Sequence, residues 1–116
     1  DFFSQKIDEC LKSGINNENI IIDPGFGFGK TLNHNLEILK RLEEFNSLKL
    51  PLMVGISRKS MIGSLLNDRA VDDRIIGSVV AAIMAVQNGA SIVRVHDVME
   101  TRDALNILES VNDLKE

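Results

Sequence analysis

The chain has 116 residues, 44% of them hydrophobic, with 13 basic and 17 acidic side chains and a net charge of −4. That is one domain's worth of chain with enough apolar content for a packed core, which excludes a disordered composition. The acidic balance argues against nonspecific binding of nucleic acid.

Residues 2–13 read as an amphipathic helix with Phe3, Ile7, Cys10 and Leu11 on one face and Gly14 at its end. Cys10 is the only cysteine, so no intramolecular disulfide forms, and a reducing, cytoplasmic compartment is expected. No basic-plus-apolar leader opens the chain, and the longest apolar run, 79–86, is too short to span a bilayer, so no membrane association is expected. After a polar turn at 16–19 come Ile20, Ile21 and Ile22, an apolar run without polar alternation, as in a buried parallel strand. Pro24 lacks a backbone N–H and ends sheet pairing, which leaves Asp23 at the C-terminal lip of that strand. Gly25, Gly27 and Gly29 then let the loop take positive φ and approach a ligand closely.

A second helix is expected over 33–46, with Leu36, Leu39, Leu42 and Phe45 along one stripe. Pro51 introduces a strand at 52–55, and Ser57, Arg58, Lys59 and Ser60 stand at its C-terminal lip, followed by a short helical turn at 61–66. Beyond a polar loop at 67–73, Asp72 or Asp73 is placed to cap a long helix that runs to Asn88 and stops at Gly89. Its apolar stripe is Ile75, Ile76, Val79, Val80, Ile83 and Val86, while Gly77, Ala81, Ala82 and Ala85 permit close packing. The third strand is 91–95, with Arg94 and His96 near its exit; Asp97 and Glu100 have the spacing of a capping box for a last helix reaching Leu114.

The order is thus a helix and three strand–helix units, with strand starts roughly thirty to forty residues apart, the size of a βα unit. That pattern specifies an α/β fold with a parallel sheet and helices outside it. A (β/α)8 barrel needs about 250 residues, so three units are either a piece of such a barrel or a small sandwich. Three strands with helices on one side leave two unpaired edges and an uncovered inner face. Together with the abrupt helical start, this leads to the expectation that the chain is an incomplete active unit that folds poorly by itself.

Asp23, the 57–60 run and the pair Arg94/His96 all fall at C-terminal ends of strands, where α/β sheets and barrels bind ligands. An acid, three cations and an imidazole on one rim suit a polar, partly anionic ligand. The plainer alternative for the glycine loop is a turn without a ligand. Arg94 interrupts a β-branched strand, where an unpaired guanidinium is costly to bury. Its plainer explanation is a structural ion pair with Asp23 or Asp97. Strand alternation puts Arg94 and His96 on the same face, with Val95 opposite.

Several common motifs are absent. A phosphate-binding Walker loop needs glycine where Pro24 stands, a dinucleotide fingerprint starting at Gly27 needs it at Leu32, and a nucleophile elbow needs it at Lys59. His34 and His96 lack zinc-like spacing, and no metal-ligand set is found. His34 reads as solvent-facing near a helix start and Lys30 as a solvated charge; Arg69 and Arg74 receive no role.

The runs Asp-Pro-Gly-Phe-Gly-Phe-Gly-Lys at 23–30, Gly-Ile-Ser-Arg-Lys-Ser-Met-Ile-Gly at 55–63 and Arg-Val-His-Asp-Val at 94–98 resemble, in order and spacing, the three C-terminal signatures of the dihydropteroate synthases. The similarity extends over essentially the whole chain. It implies that residues 1–116 are the C-terminal three βα units of a single pterin-binding (β/α)8 TIM-barrel domain.

The resemblance further implies a transferase of folate biosynthesis. It would join a dihydropterin carrying a methylene pyrophosphate to p-aminobenzoate, giving dihydropteroate and pyrophosphate, with sulfonamides as competitors. Magnesium would assist, its ligand supplied by the family's N-terminal part, and a homodimer would form through C-terminal helices. Asp23 would bond the pterin ring, and Lys59 would reach the pterin and border the p-aminobenzoate pocket. Phe28, Arg58 and Ser60 would line that second pocket. Arg94 would lie over the pterin face and, with His96, hold the pyrophosphate. Asp23, Lys59 and Arg94 are the expected catalytic residues. The alternatives are a pterin-dependent methyltransferase barrel, against which the 57–60 run argues, and a non-catalytic pterin-binding module.

Overall fold

The computed structural model describes residues 2–27 and 30–114. Three backbone segments run side by side in one direction. Strand β1, Met53–Val54, pairs in parallel with β2, Ile92–Val93, with Met53 opposite Ile92 and Val54 opposite Val93. On the other side of β1, Ile22 forms a parallel bridge to Leu52: the Ile22 N–H donates to the Pro51 carbonyl at 2.9 Å and the Met53 N–H to the Ile22 carbonyl at 2.7 Å. The paired stretches are shorter than the strands expected from sequence, but they have the expected centres and direction.

The helices are α1, Phe2–Lys12; α2, Leu32–Lys40; α3, Ser60–Leu65; α4, Ile75–Gln87; and α5, Val98–Asn112. They connect the strand segments, α3 and α4 together lying between β1 and β2, and pack on one face of the sheet. Ile22, Leu52, Val54 and Ile56 are buried on that side, in a cluster with Leu39, Leu42, Met61 and Ile62. Successive strand side chains point to opposite faces. Ile22 is accordingly 2% exposed and its neighbour Ile21 is 54% exposed. The continuous run of isoleucines is therefore buried on one face only, because no described element covers the other. The molecule is a slab measuring 44 × 43 × 21 Å.

Local chemistry explains the helix ends and three departures from expectation. The second helix does not run unbroken over 33–46: α2 stops at Lys40, and a 3-10 segment, Leu42–Leu48, follows, tucking Leu42 into the core. Neither Asp72 nor Asp73 caps α4, because both lie in a 3-10 turn, Val71–Asp73, and Arg74 occupies the cap position. The expected apolar stripe of α4 is only partly inward: Ile75, Val79, Ile83 and Val86 are half-buried, and the most buried positions are the small ones. Ser78, Ala81, Ala82 and Ala85 face inward, while Ile76 is 79% exposed and Val80 and Met84 are exposed too. Small residues allow the close approach that the sheet side requires. At Gly77 an added methyl group would sit 2.7 Å from Ile62 and 2.9 Å from Leu66, so α3 packs hard against α4 there.

Candidate active site at the strand C-termini

The glycine loop begins with an Asx-type turn in which the Asp23 carboxylate accepts the Gly25 N–H at 2.8 Å. Gly25 and Gly27 take φ of +74° and +89°, values that favour glycine, and they flank Phe26, whose ring is buried. Two side chains pin the loop. Buried Asn35 on α2 accepts the Gly27 N–H at 3.0 Å, and the Lys30 ammonium donates to the Gly25 carbonyl at 2.8 Å. Lys30 is thus a tether of the loop and not merely a solvated charge. Phe28 lies outside the described residues.

The loop after β1 is held still more firmly. Arg58 takes φ +58°, and its backbone and side chain are all engaged. Its N–H donates to Ser78 Oγ at 2.8 Å, and its carbonyl accepts from Arg74 Nη1 at 2.9 Å. Its guanidinium forks onto Asp97, Nη2 to Oδ1 at 2.6 Å and Nε to Oδ2 at 3.2 Å. This forked bond is the main cause of the raised Arg58 pKa and of the lowered Asp97 pKa. Asp97 therefore serves Arg58 instead of capping α5; the expected box fails because a fixed, charged fork is the stronger partner. Arg74, given no role from sequence, reaches the loop through space left by Gly63, where a Cβ would stand 2.5 Å from its guanidinium.

Lys59, held beside Arg58, extends across to the glycine loop and donates to the Phe26 carbonyl at 2.6 Å. Partial burial, first, and the positive charges of Arg94 and Lys30 push its pKa below the ordinary lysine value, with Asp23 pulling the other way. Ser60 opens α3 and is exposed. Beyond the end of β2, the Arg94 N–H still bonds the Val54 carbonyl at 2.9 Å. The Arg94 guanidinium leans over Gly55: a Cβ there would stand 2.8 Å from Nη2 and 3.1 Å from Nε. Neither ion pair considered for Arg94 is present among the described residues, and Asp97 is occupied by Arg58. His96 Nδ1 lies 2.9 Å from Ser57 Oγ, which also accepts the His96 N–H at 3.2 Å.

Ser57, Arg58, Lys59, Arg94 and His96 line one open cavity of about 590 Å³, with Gly55, Val71 and Val95 completing the wall. Asp23 stands beside it, within electrostatic reach of Lys59. Sequence reasoning missed Asn35, Ser78 and Arg74 as supports, and placed Ser57 at the rim without its bond to His96. Of these only Ser78 carries a sequence signal, a polar residue inside an otherwise apolar helix. Among the described residues no group of three or more His, Cys, Asp or Glu could hold a metal ion. No described helix is long and apolar enough to cross a membrane.

A cation-rich cavity at the carboxyl ends of parallel strands, walled by glycine and by held side chains, defines an α/β protein whose site suits a polar, partly anionic ligand. The family described as pterin binding enzyme matches residues 1–96, and the chain belongs to that family. It is 49% identical over 115 residues to the dihydropteroate synthase of Escherichia coli (strain K12), an alignment covering 99% of this chain and 40% of that protein. The crystal structure of the Yersinia pestis dihydropteroate synthase superposes with a TM-score of 0.94 at 48% identity, covering 97% of this chain and 46% of that one; the same protein is also known in a sulfonamide drug complex. The Xanthomonas albilineans dihydropteroate synthase in complex with 7,8-dihydropteroate gives a TM-score of 0.96 at 38% identity, with 98% and 42% covered, and a further structure of it holds 4-aminobenzoic acid. The chain thus spans less than half the length of these relatives.

Proposed function

We propose that residues 1–116 are the C-terminal three βα units of a single (β/α)8 TIM-barrel domain. In that barrel they supply pyrophosphate contacts of a dihydropteroate synthase site together with part of its pterin and p-aminobenzoate sides. The carrying observation is the cavity in which Arg94, Lys59 and His96 stand together while Arg58 is neutralised by Asp97. In the proposed reaction the p-aminobenzoate nitrogen attacks the methylene carbon of 6-hydroxymethyl-7,8-dihydropterin pyrophosphate. The carbon–oxygen bond to pyrophosphate breaks, and the amine loses a proton to water. Asp23 bonds the pterin ring and stabilises positive charge developing on it. Arg94 lies over the pterin face and meets the departing pyrophosphate with His96, its planar fork suited to phosphate oxygens. Lys59 borders both ligands, and its pKa is lowered by partial burial first and by the neighbouring Arg94 and Lys30 charges second.

Phe28, Arg58 and Ser60 belong to the p-aminobenzoate and sulfonamide side of the site. In this reading Arg58 contributes by shaping the loop, since its donors toward Asp97 are spent. Any magnesium takes its protein ligand from outside this chain. The same reading makes the enzyme cytoplasmic and a homodimer, supported by the exposed apolar residues Ile76, Val80 and Met84 of α4.

The test is made in a barrel of the relatives' full length that carries these residues. Incubation with the pterin pyrophosphate and p-aminobenzoate should release pyrophosphate and dihydropteroate in equal amounts. Arg94→Lys should lower turnover by about one to three powers of ten, the scale of losing one oriented donor to developing charge. Pterin binding without pyrophosphate release, or methyl transfer in its place, would refute the assignment.

A further inference from the structure

The register of the two strands, continued past their ends, sets Gly55 beside Arg94 and Ser57 beside His96. On each strand the two residues are separated by one position, so all four project from the same face of the sheet. The contacts follow this matching: Arg94 lies over Gly55, and His96 engages Ser57 twice. We propose that Gly55 and Ser57 are positioning residues, a two-point seat that sets the plane of the Arg94 guanidinium and the tautomer of the His96 ring. The inference rests on the pyrophosphate reading of that pair.

Gly55 has no backbone reason to be glycine, since it does not take a positive φ. What it offers is space. A methyl group there would collide with the guanidinium at 2.8, 3.1 and 3.2 Å from Nη2, Nε and Cζ. The colliding atoms are the far end of a flexible side chain, so Arg94 can swing away without disturbing the core. Alanine at this position should therefore leave folding intact while tilting the fork out of its plane.

Ser57 is buried and has one hydroxyl hydrogen and two lone pairs. One lone pair accepts the His96 N–H, and the hydroxyl hydrogen is free to donate to Nδ1 across 2.9 Å. An Nδ1 that accepts leaves the ring hydrogen on Nε2, the nitrogen directed away from Ser57. The seat thus prepares His96 to donate a hydrogen bond outward, toward an anion.

Three variants in the full-length barrel test this, with inorganic pyrophosphate as the probe. Gly55→Ala should melt like the parent but bind pyrophosphate more weakly and turn over more slowly, by about tenfold to a hundredfold, the effect of a misplacement near 1 Å. Ser57→Ala should lose the single Nε2–H tautomer in nitrogen NMR of His96. Parent-like pyrophosphate affinity in Gly55→Ala, or an unchanged tautomer in Ser57→Ala, would overturn the seat. Arg94→Lys separates the two levels of argument: if it alone weakens pyrophosphate binding, the seat fails and the pyrophosphate reading stands. If even Arg94→Lys binds pyrophosphate normally, the pyrophosphate reading fails, and the tautomer measurement still decides the seat at His96.

Discussion

Phe26→Ala tests how the core supports the site. The ring is 1% exposed and belongs to the core cluster, although it sits in a loop between two glycines. Truncating a buried phenylalanine costs about 3–5 kcal/mol, the lost transfer energy plus the cavity left behind. Against a net stability of roughly 5–15 kcal/mol that is a large fraction. At about 2–4 °C per kcal/mol for a barrel-sized chain, the melting temperature should fall by about 6–20 °C. The effect should also reach the site, because the Phe26 carbonyl accepts the Lys59 ammonium at 2.6 Å. Once unanchored, the loop no longer fixes that acceptor, and pterin affinity should drop even at temperatures where the variant is folded. Phe26→Leu, which keeps most of the volume, should recover most of both losses. Denaturant titration and calorimetric pterin binding on the full-length barrel give the two readings. A Phe26→Ala protein with the parent's midpoint would show that the ring is not a core residue, and parent-like pterin affinity would break the link from ring to loop to Lys59.

Asp97 gives an acid-sensitivity prediction. Its pKa is lowered below the ordinary 3.8 by the Arg58 fork, so the folded state holds fewer protons than the unfolded state there, and the stabilisation, complete above 3.8, disappears as pH falls through the folded value. Melting curves taken from neutral pH into this acid range should fall more steeply for the parent than for Asp97→Asn; parallel curves would exclude the pair as a stabilising element. For assembly, Val80→Glu places a charge on the exposed face of α4 and should leave the protomer folded while dissociating the proposed homodimer in sedimentation. An unchanged dimer would rule that face out.

The α/β order was legible because it is written locally, in apolar runs, Pro24, Pro51 and the glycines that end helices at Gly14 and Gly89. The gathering of Ser57, Lys59, Arg94 and His96 was legible because all follow strands, and parallel strands end at one rim. What could not be read was partner choice over distance. Arg58 and Asp97 are 39 positions apart, and nothing in either neighbourhood distinguishes a strut from a ligand contact. The apolar stripe of α4 was drawn too wide, since Ile76 and Val80 are exposed, whereas the close packing of Ala81, Ala82 and Ala85 was legible from their size. The break at Arg41 follows from the packing of Leu42, which helix propensity does not report.

The matched steps of β1 and β2 bear on how such a chain can change in length. Because side chains alternate at every residue, deleting Val95 would put His96 one step out of phase and turn it toward the helices. Losing a residue in a loop outside the strands leaves the alternation of 55–57 and 94–96 untouched. Segments outside regular structure thus carry unequal tolerance for insertion. Divergence in length is expected to accumulate below the sheet, while the stretches 55–57 and 94–96 keep their count.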